Sequence, residues 1–210
     1  MGIALASDVL DADGRIRDLY SAYHDDLVPG LSWSAVLAAQ SFVLVVEDPD
    51  APGDKPFVHW LLWNIPGTAT AIPSGLSRVT HPPELPGAIQ GKNSGGTFGW
   101  HGAQPPPGHG VHHYHFQLFA LSQPLEAPPS TSLEELVTTL KGLAIAKGEL
   151  VGTYERLDPA ADAPSPGRTG GYGETPYADS AREKSAGRGG LDSDDLDRHA
   201  PHDPDGVTRR

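Results

Sequence analysis

The histidines are the residues of this sequence best suited to chemistry. Five of them lie within fifteen residues, at positions 101, 109, 112, 113 and 115, and His59 precedes them. Asp48 and Asp50 follow an apolar run, where their carboxylates could orient such rings. Imidazole titrates near neutral pH and can donate a hydrogen bond to an anion, carry a proton or bind a metal ion. These residue types and their spacing indicate where a site could form, although spacing alone favours an ordinary hydrogen-bonded core histidine at position 112.

Alternation along a strand divides the histidines between two faces. In the segment 112–121, His112 and Tyr114 share one face with Phe116 and Leu118, whereas residues 113, 115 and 117 lie on the other. A face that begins with a polar pair and continues apolar places that pair at one end of the core, where a pocket could open. Two other interpretations remain: His112 as an ordinary hydrogen-bonded core residue, or a metal site rich in histidine.

The elements that would position these residues are mostly strands. Apolar, β-branched or aromatic runs predict strands at 41–47, 57–64, 112–121 and 150–154. The spacer 72–110 has seven prolines and nine glycines, so it is mostly loop, and a loop this long usually builds a site. A capping box at Ser132 and Glu135 starts one helix, with Leu133, Leu136, Val137, Leu140, Leu143 and Ala144 on one face. The fold class predicted is mainly β (α+β).

Composition divides the 210 residues into two parts. Residues 1–157 contain every Trp and Phe, with sixteen acids and eight bases, and form one domain. Residues 158–210 have three large aliphatic residues, six prolines and eight glycines, which predicts a disordered acidic tail. A net charge of −12 without a basic run argues against nucleic acid as a partner. The sequence has no cysteine, its longest apolar run is too short to span a bilayer, and its first residues lack the pattern of a secretory signal, so we expect a cytoplasmic protein.

Four blocks of the sequence resemble the phosphatidylethanolamine-binding protein family, in particular its bacterial, Raf-kinase-inhibitor-like branch. Asp48-Pro-Asp-Ala-Pro52 resembles the first hallmark of the family, followed by His59-Trp60 and Asn64-Ile-Pro66. Residues 105–114 resemble the second hallmark. Residues 27–33 look like the entry strand, and residues 152–156 look like the bacterial C-terminal strand. The resemblance spans about 130 positions.

The resemblance implies a Greek-key antiparallel sheet packed on a smaller sheet, with a small anion-binding cavity at one end. By the family pattern, the cavity is lined by a few side chains and by the backbone of the loop 102–106, with Asp48 as an orienter of a histidine. It implies no metal and no cofactor. The residues expected to bind the ligand are Asp48, Pro52, His59, Gly102, Pro106, His112 and Tyr114.

Two residues depart from the family pattern. His113 stands where relatives usually have Arg, and because it lies on the opposite strand face we expect it to affect packing more than the cavity. Gln104 stands at the expected cavity mouth, where relatives usually have Cys or Gly. The resemblance also predicts a cis peptide bond between Ala51 and Pro52, where the chain must turn sharply at a strand end.

Three functions follow from these expectations. The first is non-enzymatic binding of phosphorylated or other anionic small ligands, such as a phosphoethanolamine headgroup, with a regulatory role. The second is inhibition of a kinase or protease through the rim of the cavity. The third is a hydrolase or lyase with His112 and His59 as acid and base; no Gly-x-Ser-x-Gly or His-Glu-x-x-His motif supports it. A homodimer is compatible with all three.

Overall fold

The computed structural model describes residues 2–157, so the tail predicted for residues 158–210 lies outside the described residues. In chain order, the elements are β1 (Leu5–Ser7), a 3-10 helix (Asp18–Tyr20), β2 (Leu31–Trp33), β3 (Ser41–Asp48), β4 (Phe57–Pro66), β5 (Ala71–Ile72), β6 (Ile89–Gln90), β7 (His112–Leu121), α1 (Leu133–Leu140) and β8 (Ala144–Tyr154).

The strands form two antiparallel sheets. The smaller sheet has the order β1-β2-β5, and the larger has the order β6-β4-β3-β7-β8. In the larger sheet β3, β4 and β6 are consecutive neighbours, and β7 returns through a long connection to lie beside β3. This is the connection of a Greek key, and with one helix it confirms the predicted mainly β architecture.

Strand β3 is buried along all eight residues because both faces of the larger sheet are covered. On one face Phe42, Leu44 and Val46 join the core between the two sheets. On the other face Val43 and Val45 pack in a second cluster that includes Leu136 and Leu140 of α1. Burial on both faces explains why this strand is a continuous apolar run rather than an alternating one.

The helix begins where predicted and ends earlier. The Ser132 hydroxyl accepts the Glu135 amide hydrogen, and the Glu135 carboxylate accepts the Ser132 amide hydrogen, which completes the capping box. The helix ends at Leu140 because Gly142 adopts a φ of +84° and turns the chain. Leu143 therefore lies outside the helix, and Ala144 opens β8, which is longer than the predicted 150–154 strand.

The turn after β3 differs from the prediction for Ala51-Pro52. The described residues contain no cis peptide bond, so the expected cis bond is wrong. A side chain makes the turn instead: Asp48 Oδ1 accepts the amide hydrogen of Asp50 at 2.9 Å. An aspartate that bonds its own backbone two residues on closes a tight turn without a change of peptide isomer.

Candidate functional site

Strand β7 presents His112 and Tyr114 side by side at one end of the inter-sheet core. Both are buried, and Tyr114, Phe116 and Leu118 all belong to that core, so the predicted face of β7 is confirmed. His113 is on the other face and exposed. Its ring and its amide both bond Asp50 Oδ2, at 2.7 and 2.9 Å. As expected, the His113 departure concerns local packing.

Asp48 orients His112 within the core. His112 Nδ1 lies 2.7 Å from Asp48 Oδ2, and the two residues are 1% and 3% exposed. The other oxygen of Asp48 already accepts the Asp50 amide hydrogen. With both oxygens bonded, the carboxylate fixes the imidazole as a hydrogen-bond donor through Nδ1 and leaves Nε2 for a second partner. Removing one partner of such a buried hydrogen bond leaves the other unsatisfied, at a cost of about 1–3 kcal/mol.

A β-bulge brings His59 to the same site. Val46 pairs with Trp60 and Glu47 pairs with Val58, so His59 is an extra residue on β4 with no partner position on β3. Strict alternation would put His59 on the face opposite Trp60. The bulge instead turns its ring toward Tyr114, with the ring centroids 5.0 Å apart, and toward Trp100 at 6.0 Å.

His59 is held as a neutral imidazole. Its Nδ1 lies 2.7 Å from the His101 carbonyl oxygen, so Nδ1 carries the proton and donates it. The His59 carbonyl in turn accepts the His101 amide hydrogen at 2.9 Å, which clamps the start of the loop to β4. Burial lowers the pKa of His59 to about 4, against the opposing effects of the His101 hydrogen bond and the Asp48 charge. At neutral pH, His59 Nε2 is therefore an acceptor.

The Tyr114 hydroxyl is buried without a hydrogen-bond partner. Burial raises the pKa of this phenol well above its ordinary value, and the Asp48 charge adds to the effect. The Gln104 backbone amide lowers that pKa, although it does not have the geometry of a hydrogen bond to the Tyr114 hydroxyl. An unsatisfied buried hydroxyl costs about 1–3 kcal/mol, and a ligand oxygen could satisfy it.

His109 occupies the second nitrogen of His112. Its Nδ1 lies 2.7 Å from His112 Nε2, and His109 itself is exposed. Asp48, His112 and His109 thus form a hydrogen-bonded chain from the buried core to the surface. His109 belongs to the histidine cluster of the sequence but not to the residues expected to bind the ligand, because a loop residue three positions away gives no signal of this contact.

Three residues that were expected to bind the ligand, Pro52, Gly102 and Pro106, do not contribute a hydrogen-bond donor to the buried cluster. The Gly102 amide already donates to Asp26 Oδ1 at 2.8 Å, and a Cβ at Gly102 would lie 2.4 Å from the Ala22 nitrogen. Gly102 therefore positions the loop by close packing. Pro52 and Pro106 are exposed, and the Pro106 carbonyl accepts the His109 amide hydrogen at 3.1 Å. The buried cluster consists of Asp48, His59, His112 and Tyr114.

Two residues beyond the predicted set border the cluster. Tyr23 donates its hydroxyl hydrogen to the Pro105 carbonyl at 2.7 Å, and the Arg156 guanidinium lies 3.8 Å from the centre of the Tyr23 ring. No sequence signal connects residue 23 with residue 105. Arg156 is two positions beyond Tyr154, so strand alternation could have placed it on the pocket face.

The cluster combines a phenol donor, a neutral imidazole acceptor and an imidazole oriented by a carboxylate. Such a set can bind an oxyanion or move a proton. Within residues 2–157 no group of three or more His, Cys, Asp or Glu side chains is arranged to hold a metal ion, so the described residues do not form the metal site that the sequence left open. In the same part of the chain, no helix has the length and apolarity to cross a membrane.

Proteins of known family resemble this chain in sequence and fold. A UPF0098 protein of Pyrococcus horikoshii is 46% identical over 117 residues, which cover 56% of this chain and 58% of that protein. LppC of Mycobacterium tuberculosis, named provisionally as a lipoprotein, is 32% identical over 73% of this chain and 72% of its own length. The crystal structure of Escherichia coli YbcL, described as a member of the mammalian PEBP family, matches with a TM-score of 0.67 and 30% identity, covering 74% of this chain and 99% of YbcL.

A family model describes the same region. The phosphatidylethanolamine-binding protein model matches residues 6–155, which includes both sheets, the helix and every residue of the buried cluster. The match agrees with the Greek-key sheet, the second smaller sheet and the two hallmark blocks around Asp48 and His112. The chain belongs to the phosphatidylethanolamine-binding protein family.

Proposed function

We propose that this protein binds phosphorylated or other anionic small ligands in the cluster of Asp48, His59, His112 and Tyr114, without chemical turnover. The observation that carries the proposal is the buried, unpartnered hydroxyl of Tyr114 beside two oriented imidazoles. Buried polar groups in folded proteins are almost always hydrogen-bonded, so an exception needs a reason. An oxyanion oxygen that accepts the Tyr114 hydrogen would supply that reason.

The donors and acceptors suit a ligand with both a negative and a positive group. Tyr114 donates and the neutral His59 Nε2 accepts, whereas His112 Nε2 is already bonded to His109 Nδ1. Phosphoethanolamine carries phosphate oxygens and an ammonium group, so it offers partners to both kinds of atom. Because residues 1–157 have a net charge of −8, the attraction for phosphate must come from local donors rather than from the overall field.

A pair of conservative variants tests the proposal. Tyr114→Phe removes only the unpartnered hydroxyl, so it should leave the free energy of unfolding unchanged or raise it, yet weaken phosphoethanolamine binding by about 5- to 10-fold. Tyr154→Phe is the matched control, because the Tyr154 hydroxyl already bonds Asp18 at 3.1 Å and Ser21 at 3.2 Å. This control should lose about 1 kcal/mol of stability and keep its affinity.

Titration calorimetry with phosphoethanolamine and with inorganic phosphate gives the affinities, and urea denaturation gives the stabilities. His112→Ala should weaken both ligands, because a donor or acceptor of the cluster is lost. If wild-type protein binds neither ligand, or if Tyr114→Phe and Tyr154→Phe bind equally well, the proposed site is wrong.

A hydrolase is the second candidate, favoured by the Asp48–His112 pair. A buried carboxylate that fixes the tautomer of a histidine is the arrangement of an oriented general base. The two candidates differ in turnover. Phosphoester substrates incubated with wild-type protein should remain intact if the protein only binds, whereas hydrolysis that disappears in His112→Ala would establish an enzyme.

A further inference from the structure

Arg156 follows the last residue of β8 by two positions, and its guanidinium contacts the ring of Tyr23. The β7–β8 register pairs His112 with Tyr154, and side chains two residues apart on an extended chain lie on the same face. Arg156 therefore lies on the face of the sheet that carries His112 and Tyr154. Its carbonyl accepts the Gly108 amide hydrogen at 2.9 Å, which holds the backbone of residue 156 beside the turn that carries His109.

The guanidinium is oriented by the ring of Tyr23. Its central carbon lies 3.8 Å from the ring centre, a stacked cation–π contact, and the Tyr23 hydroxyl is anchored to the Pro105 carbonyl. The Tyr23 phenol is also close enough to Tyr114 to raise the pKa of that residue further. Through one ring, Arg156 is thus fixed at the rim of the cluster described above. A stacked guanidinium keeps its edge N–H groups available to a ligand.

The electrostatic setting makes this charge important. Three other basic residues are engaged by carboxylates: Arg15 by Asp18, Lys55 by Glu134 and Arg78 by Asp26. Within residues 2–157, Arg156 has no carboxylate within 4.0 Å. His59 is neutral at physiological pH because burial lowers its pKa to about 4. Arg156 therefore supplies a permanent positive charge at the rim of a pocket in an acidic domain.

We propose that Arg156, stacked on Tyr23, forms a rim subsite for a second anionic group of the ligand, and that the preferred ligands are phosphorylated compounds that also carry a carboxylate. The inference rests on the proposed function, since the first anionic group occupies the cluster of Asp48, His59, His112 and Tyr114. The planar fork of a guanidinium matches a carboxylate through two parallel hydrogen bonds, which a lysine cannot reproduce.

Two probes that differ by one carboxylate test the subsite. O-phosphoserine is phosphoethanolamine with one added carboxylate, so the ratio of their dissociation constants isolates that group. Titration calorimetry on the full chain should show wild-type protein binding O-phosphoserine on the order of 10-fold more tightly. Arg156→Gln should reduce the ratio to about one. Arg156→Lys should give an intermediate ratio, because it keeps the charge and loses the fork.

Arg17→Gln is the matched control, since Arg17 is exposed and its guanidinium donates to the Asp8 carbonyl at 3.5 Å, away from the cluster. It should leave the ratio at its wild-type value. An unchanged ratio in Arg156→Gln would overturn the subsite. The pocket would still be supported if wild-type protein bound phosphoethanolamine and His112→Ala weakened that binding. Failure of wild-type protein to bind either probe would overturn both proposals. If Arg156→Gln does not fold, Arg156→Lys carries the test, and a wild-type ratio in that variant overturns the subsite.

Discussion

His59 should make the protein more stable at neutral pH than in mild acid. The residue is 3% exposed, and its one ring hydrogen bond, to the His101 carbonyl, is satisfied by the neutral form. Burial is the main cause that lowers its pKa to about 4; the His101 hydrogen bond and Asp48 act to raise it, while the His101 and His112 rings act to lower it. In the unfolded chain the same ring titrates near its ordinary value of 6.5.

The sign and size follow from this difference. Between pH 6.5 and about 4 the unfolded chain binds a proton at His59 and the folded protein does not, so the unfolded state is favoured as the pH falls. The pKa is lowered by about 2.5, and each unit corresponds to about 1.4 kcal/mol, which gives a loss of about 3 kcal/mol across this range. Above pH 6.5 the ring is neutral in both states and this contribution is constant.

The assay compares wild-type protein with His59→Gln. Gln does not titrate, and its amide can still donate to the His101 carbonyl. Urea denaturation at pH 7.5, 6.5, 5.5 and 4.5 gives the free energy of unfolding of each, and the difference between the two proteins should shrink by about 3 kcal/mol toward low pH. His81→Gln is the control, because His81 is exposed and its variant should follow the wild-type pH profile.

A titration of the His59 ring by NMR checks the cause directly. If the His59 ring titrates near pH 6.5 in the folded protein, or if the free-energy difference between wild type and His59→Gln is independent of pH, the reasoning is refuted. The low pKa of His59 also affects anion binding. A pKa of about 4 keeps His59 uncharged near pH 6.5, so His59 does not supply a positive charge to an anion at that pH.

Three further predictions concern the surroundings of the cluster. His109→Ala should raise phosphate affinity about 2- to 10-fold in calorimetry, because it frees His112 Nε2; weaker binding would mean that His109 itself contacts the ligand. Gly102→Ala should lower the free energy of unfolding by about 1–3 kcal/mol in urea, since its Cβ would meet the Ala22 nitrogen at 2.4 Å; wild-type stability would show that the loop moves freely. Truncation after Leu157 should leave the melting temperature and phosphate affinity nearly unchanged; a broad transition in the shortened protein would contradict this.

Local sequence determined the elements that carry the cluster. Alternation in β7 placed His112 and Tyr114 on the core face and His113 on the other, because a side-chain period of two needs no information from outside the strand. The capping box located the start of α1 because its hydrogen bonds join two residues, Ser132 and Glu135, that are only three positions apart. The two hallmark blocks pointed to the family, since rare motifs at a fixed spacing carry information that composition lacks.

Contacts between distant segments decided the rest. The bulge that turns His59 toward Tyr114 depends on the register of β3 against β4, which no residue of β4 specifies alone. The Asp48 side chain closes the turn after β3, so the expected cis bond at Pro52 is not needed. Tyr23 reaches Pro105 across 82 positions of the chain, and hydrogen bonds between their two loops, such as that from the Ala22 amide to the Ala103 carbonyl, make them neighbours.

The neutral state of His59 also depends on contacts between distant segments of the chain. The sequence determines that an imidazole is present and sets its ordinary pKa, but the free energy of its charged form depends on how much water surrounds it. Burial beneath Phe57, Trp100 and Tyr114 removes that water, and this is a property of the folded protein alone. The residue types of the candidate site could thus be predicted from the sequence, whereas their protonation, their partners and the contact between Arg156 and Tyr23 are decided by the tertiary structure.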